Sequence, residues 1–305
     1  MGRWARIRHG RKPAAPPPKA MSSPAPSELE RLLRGVEIPP CPAILTRLQK
    51  EIASPNASLS TVGTLISSDV ALAGSVLKVA NSAAFGLSRK VTTIQQALPV
   101  LGMRTLGNLV AGVALRNALG SHQRLDRFWD STLRIAHLCG RLTKEFRGVP
   151  ADTACNFGLF HDCGIGVLMG RIPDYRDTLQ LANITYDRPF TAVEEERHAT
   201  HHAAIGYLLC RSWGLPDEIS TATLLHHDMS VFEPGADATA AKTRTLIALA
   251  TLSACFVGSF LRMNEDSIWQ RGRTPVMAHL GIDDSDFFDL REMAFETLEH
   301  MDSPV

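Results

Sequence analysis

The sequence predicts an all-α protein, and three observations carry that prediction. From Glu28 onward, apolar residues recur at three- and four-residue spacing along most of the chain. Side chains that cap helices stand in front of several of these runs. Alternating runs of β-branched residues bounded by turns, the usual mark of strands, are missing. With 305 residues, 45% of them hydrophobic, the chain can bury one large core or two smaller ones.

Each element follows from its own local pattern. Residues 1–27 are rich in Pro, Ala, Ser and Arg, cannot build a core, and are expected to be a disordered basic tail. Met21 within it is a candidate alternative start to Met1. Ser58 precedes an apolar-periodic run, as an N-cap does. Asp69 opens the next helix, whose Leu72, Val76, Leu77 and Ala80 share one face, and Asn81-Ser82 should end it by competing for the backbone. Two further helices are expected over 92–101 and 105–119, separated at Gly102. A second group follows: 128–146, 152–169, 192–213 ending at Gly214, and a helix begun by Pro216 that runs to His226-His227-Asp228. A loop over 234–243, a long core helix from Arg244 and an amphipathic helix over 284–299 complete the chain.

Charge and cysteine usage narrow the class. Arg3, Arg6, Arg8, Arg11, Lys12 and Lys19 give the first 20 residues +6, leaving 26 basic against 31 acidic groups, or −5, for the rest. A mildly acidic body argues against nucleic-acid binding, which concentrates Lys and Arg on one face. Six cysteines without a CxxC pair read as reduced thiols of a cytosolic protein. The basic start runs into Pro and Ala rather than an apolar signal core, so a cytoplasmic location is expected. The longest uncharged run, 245–261, is short for a membrane span and diluted by Thr251, Ser253, Gly258 and Ser259.

The residues able to carry chemistry are Phe160-His161-Asp162-Cys163-Gly164, His202, and the pair His226-His227. Adjacent His and Asp on a helix point about 100° apart, so both meet one metal only if other helices converge on them. One aspartate with up to three imidazoles would suit zinc, iron or manganese; without metal, the same groups would form a hydrogen-bonded polar cluster. The run Glu194-Glu195-Glu196-Arg197 reads as a solvated helix face, and Asn81-Ser82 and Pro39-Pro40 as local caps and turns. Gly-rich phosphate loops and a Gly-x-Ser-x-Gly elbow are missing.

The order of motifs resembles the HDOD family, the HD-related output domain of bacterial signalling proteins. The match runs through Ile38-Pro39-Pro40-Cys41-Pro42, Ser68-Asp69-Val70-Ala71-Leu72, Asn81-Ser82-Ala83-Ala84-Phe85-Gly86 and Ala97-Leu98-Pro99-Val100-Leu101-Gly102. It continues through Phe128-Trp129, Gly158-Leu159-Phe160-His161-Asp162, Trp213-Gly214-Leu215-Pro216 and His226-His227. The resemblance implies one HDOD domain over 33–235, with an N-terminal helical subdomain (33–120) packed on a degenerate HD-like helical subdomain (121–235). Closing helices would follow over 236–305.

It also implies what is lost. HD phosphohydrolases carry a histidine where this chain has Ser131 and a last aspartate where it has Thr251; the lysine that follows Gly in HD-GYP enzymes is Ile165. A first metal would keep only His161 and Asp162, too few for tight binding. The resemblance therefore implies a non-catalytic signal-transduction module acting by protein–protein interaction, its partner another signalling protein such as a kinase or a cyclic-dinucleotide turnover enzyme. Neither nucleic acid nor membrane is an expected partner. No cofactor is expected, with a single divalent transition metal on the remnant residues His161, Asp162, His202, His226 and His227 as the open possibility. The alternative is an HD-type metal-dependent phosphohydrolase, such as a cyclic-dinucleotide phosphodiesterase, that uses those remnants.

Overall fold

The computed structural model describes residues 35–81, 89–119, 125–233, 240–261 and 267–302. The expected basic tail, residues 82–86 of the Asn-Ser motif and 234–239 of the expected loop lie outside the described residues. Those described are helical throughout, and no strand occurs among them.

The first unit is built from four helices: α1 (Ala43–Ile52), α2 (Leu59–Ser67), α3 (Val70–Ala80) and α4 (Ile94–Leu119). Ser58 caps α2 as its position suggested, its hydroxyl accepting from the Thr61 N–H at 3.4 Å. Asp69 does the same for α3, its Oδ1 accepting from the Leu72 N–H at 3.0 Å. Val62, Ile66, Val76, Ile94, Leu98, Leu106 and Val110 close a wholly apolar core with Leu48. Asn81 does more than stop α3. Its side chain accepts from the Val91 N–H at 2.8 Å and donates to the Val91 carbonyl at 2.7 Å, fastening the approach to α4. Gly102 (φ 77°) breaks α4 where the sequence placed a boundary.

The second unit comprises α5 (Asp126–Leu142), α6 (Ala151–Phe160), α7 (Cys163–Arg171), α8 (Tyr175–Asn183), α9 (Phe190–His198), α10 (His202–Ser212), α11 (Asp217–Leu225), a 3-10 turn (Met229–Phe232), α12 (Ala241–Phe260), α13 (Ser267–Leu280) and α14 (Asp284–Asp302). Two single helices expected from periodicity are each two. The stretch 152–169 breaks at His161-Asp162, where Asp162 leaves the helical region (φ −104°, ψ 12°). The stretch 192–213 breaks at Ala199, which takes a left-handed conformation (φ 55°). Neither break contains Gly or Pro, so tertiary packing decides both. Helix α8 was not expected, since its buried face is Tyr175, Thr178 and Ala182 rather than an aliphatic stripe.

The two units share α4. Its Leu106 and Val110 belong to the first core, while Ala111, Leu115 and Leu119 belong to the second. Leu48 and Leu45 of α1 divide the same way. The Trp213 indole N–H donates to the Pro39 carbonyl at 2.9 Å, pinning the strap before α1 onto the end of α10. Pro39 therefore serves more than a local turn. Helices α4 and α12 are long and apolar enough to cross a membrane. For α12 the folded packing also explains the composition: Leu246, Ile247, Leu249, Leu252, Phe256 and Val257 are buried among α5, α6, α11, α13 and α14.

Candidate metal centre

Three chain breaks assemble the site. Asp162 sits between α6 and α7, His202 is the first residue of α10, and His226-His227 follow the last turn of α11. A helix end lets a side chain project along the axis toward a neighbour, which a mid-helix position does not. Close approach of α7 and α10 completes the assembly. A Cβ on Gly164 would lie 2.0 Å from the His202 carbonyl oxygen and 2.8 Å from the Gly206 nitrogen, so only glycine permits the contact.

All five residues singled out in the sequence meet here. Asp162 Oδ2 lies 3.2 Å from His161 Nε2. Its Oδ1 lies 3.4 Å from His202 Nε2 and 3.2 Å from His226 Nε2. His202 Nε2 is in turn 3.2 Å from His226 Nε2 and 2.8 Å from His227 Nε2. Backbone and carboxylate partners fix the rings from behind. The Nδ1–H of His161 donates to the Gly158 carbonyl (2.9 Å), that of His226 to the Thr223 carbonyl (2.7 Å), and that of His202 to Glu194 Oε2 (2.7 Å). With Nδ1 committed to these partners, the rings of His161, His202 and His226 turn Nε2 to the centre, and a ring that has given up its Nε2 proton presents a lone pair there. His227 stacks on Phe190 at 10° between planes, and its Nδ1 is buried without a hydrogen-bond partner.

The electrostatics follow from this packing. Burial alone would lower the His202 pKa, but Glu194 and Asp162 overcome it and raise it to about 10. Burial opposes the Asp162 carboxylate in the same way, and the surrounding imidazoles outweigh it, holding its pKa well below the usual range. His161 is raised by Asp162 against its own burial. Burial lowers His226, and lowers His227 further with help from the neighbouring rings. A neutral His226 therefore aims a lone pair at a carboxylate oxygen 3.2 Å away, and a cation between them would relieve that opposition.

The donor set fits a transition metal. Asp162, His202, His226 and His227 offer ligand atoms that all lie within 4.8 Å of one another. Four ligands at about 2.0–2.1 Å around tetrahedral zinc stand about 3.3 Å apart, close to the 2.8–3.4 Å found for four of the six pairs here. Nδ1 donors anchored to carbonyl or carboxylate are the usual outer support of such ligands. His161 faces the other carboxylate oxygen. Thr251, buried on α12, donates its hydroxyl to the Ile247 carbonyl at 2.8 Å, and Ser131 is half-buried on α5.

One essential residue was misread from the sequence. Glu194 is not on a solvated face but fully buried, accepting from the His202 backbone N–H (3.2 Å), the His202 ring and the Tyr175 hydroxyl. Its neighbours Glu196 and Arg197 are exposed, as expected. His201 caps α10, its Nδ1 accepting from the Ala204 N–H, and His198 pairs with Thr178. Neither joins the cluster.

The HDOD domain family matches residues 38–229. A protein of unassigned function from Treponema pallidum (strain Nichols) is 30% identical over 198 residues, or 63% of this chain. This chain spans only 38% of that relative's length. Among solved structures, a candidate phosphohydrolase from Shewanella amazonensis SB2B superposes with a TM-score of 0.68 at 22% identity, covering 90% of this chain and 97% of its own. An HDOD domain protein of unknown function from Geobacter sulfurreducens gives 0.65 at 19% identity, covering 89% and 97%. At these identities the likeness is one of fold.

Proposed function

The chain belongs to the HDOD family, and from that premise we propose that it is a non-catalytic cytoplasmic signalling module that works by binding another signalling protein. The observation that carries the reading is Thr251. Where an HD hydrolase would place its last carboxylate, this side chain is a buried hydroxyl already committed to the Ile247 carbonyl. Ser131 and Ile165 replace two further groups that hydrolytic relatives use. An open catalytic site usually retains about three strong protein ligands, and the outer half of this one has His161 and one oxygen of Asp162. The partner we propose is a kinase or a cyclic-dinucleotide turnover enzyme.

Purified protein, assayed with Mn²⁺, Fe²⁺ or Zn²⁺ against phosphomonoesters, nucleotides and cyclic dinucleotides, is expected to show no turnover. Turnover that disappears in Asp162→Ala would overturn this reading.

That outcome would promote a second reading, metal-dependent phosphohydrolysis, which the convergence of Asp162, His202, His226 and His227 favours. These four would hold the ion, and a divalent ion so held supplies Lewis acidity and an acidified water. In that case His161 orients the free oxygen of Asp162, and Phe190 and the surrounding apolar core keep bulk water from the rings.

A further inference from the structure

We infer that Glu194 is a positioning residue that sets which nitrogen of His202 carries the ring proton, and so decides whether the four side chains can act together as ligands. The inference deepens the metal-binding reading above and rests on it only for its second readout.

Glu194 grips His202 at two points. One carboxylate oxygen accepts the His202 backbone N–H at 3.2 Å, and the other takes the ring Nδ1–H at 2.7 Å. The left-handed Ala199 makes this possible. It ends α9 and turns the chain back so that the first residue of α10 meets the carboxylate one turn before the end of α9. The buried carboxylate is held by three donors: the Tyr175 hydroxyl and the His202 backbone N–H, at the N-terminus of α10, donate to Oε1, and the imidazole donates to Oε2. Both Glu194 and His202 are fully shielded from solvent, so water cannot substitute for either contact.

The arrangement makes a sharp distinction between a carboxylate and an amide. The backbone N–H of His202 can only donate, so Gln at 194 must turn its oxygen toward it. The amide NH₂ then faces His202 Nδ1 and donates to it. Nδ1 becomes an acceptor, the ring proton moves to Nε2, and that proton points at Asp162, His226 and His227. A ring held in that tautomer has no lone pair to offer the cluster. Glu194→Gln is nearly isosteric, so its effect separates tautomer control from mere space filling.

The test uses two readouts on the full chain. In the metal-free protein labelled with ¹⁵N-histidine, long-range ¹H–¹⁵N spectra are expected to show a proton on His202 Nδ1 in the wild type and none there, with the proton on Nε2, in Glu194→Gln. In titrations with Co²⁺ alone, followed by visible absorption, the variant is expected to bind about 10- to 100-fold more weakly than wild type. Unchanged ring resonances together with unchanged Co²⁺ affinity in a folded Glu194→Gln would overturn the inference while leaving the metal reading intact. Wild type that binds no Co²⁺ would end the metal reading, and the ring spectra would then decide the inference alone. Should Glu194→Gln fail to fold, Tyr175→Phe takes its place. Removing one donor from Oε1 is expected to shift the His202 Nδ1–H resonance and, if wild type binds, weaken Co²⁺ several-fold, and no change in either overturns the inference.

Discussion

The two cores of this molecule bury different things. Around Leu48, Val62, Ile66 and Leu106 the first unit encloses an apolar cluster, and among the described residues Asn108 is the only buried polar side chain before residue 125. The second unit buries His161, Glu194, His202, His226 and His227, together with Arg134 and several hydroxyls. Apolar burial is non-directional and accommodates small shifts. A buried polar network does not, because each group depends on a partner at a fixed distance and angle. The first unit is therefore a packing element, and the second is where the molecule commits itself to one geometry.

Glycine substitutions test the comparison most severely. Gly164→Ala drives its Cβ into backbone atoms of α10, which cannot step aside, and is expected to cost about 3 kcal/mol or more. For a domain this size that lowers the melting temperature by about 6–12 °C. Gly107→Ala in the first unit meets only the terminal methyl of Ile52 at 2.8 Å, which can rotate away, and alanine also favours the helix. Its change should stay within about 1 kcal/mol. Equal losses in the two melts would erase the distinction.

Polar deletions sharpen it further. Asp162→Ala leaves three imidazole nitrogens facing one another without their carboxylate and is expected to cost about 1–3 kcal/mol. Asn81→Ala frees the Val91 backbone groups at a partly buried edge and removes a second contact to the Leu77 carbonyl, which the Asn81 backbone N–H still occupies, and should cost about 1 kcal/mol. Chemical denaturation of both variants ranks them. An unchanged Asp162→Ala would mean the cluster adds nothing to the fold.

A further difference is one of pH. His202 is raised from 6.5 to about 10, so the folded protein holds a proton that the unfolded chain releases between those values. That contribution is complete below pH 6.5 and is lost as pH rises through about 10. His226 and His227 are lowered, so their contribution runs the other way: present above 6.5 and lost as pH falls below it. Metal-free protein should accordingly lose stability on both sides of neutrality, and His202→Gln should flatten the alkaline limb. A wild-type alkaline limb already flat from pH 6.5 to 10 contradicts the assignment.

Much of this could be read in advance because much of it is periodic. The all-α class, the caps at Ser58 and Asp69, the break at Gly102 and the five cluster residues all have local or motif signatures. What escaped was set by tertiary contact. His161-Asp162 leaves the helix although neither residue is a breaker, with α7 held against α10 at Gly164 just beyond. Glu194 stands in a run of charges that locally resembles a water-facing helix, and only the reversal at Ala199 turns it inward. A usable clue existed: an acidic residue eight positions before a motif histidine, at the edge of a helix ending without glycine.

Helix α4 has a consequence for how such a protein can be inherited and rebuilt. The border between the two units does not fall in a linker but within α4, where Leu106, Val110 and Val113 pack on the first core and Ala111, Leu115 and Leu119 on the second. A cut there would expose both interiors at once, so neither unit can be shuffled, spliced or borrowed without the other. The family match over residues 38–229 spans both together. A fusion to another module is therefore expected to be tolerated at the ends of this segment and not within α4.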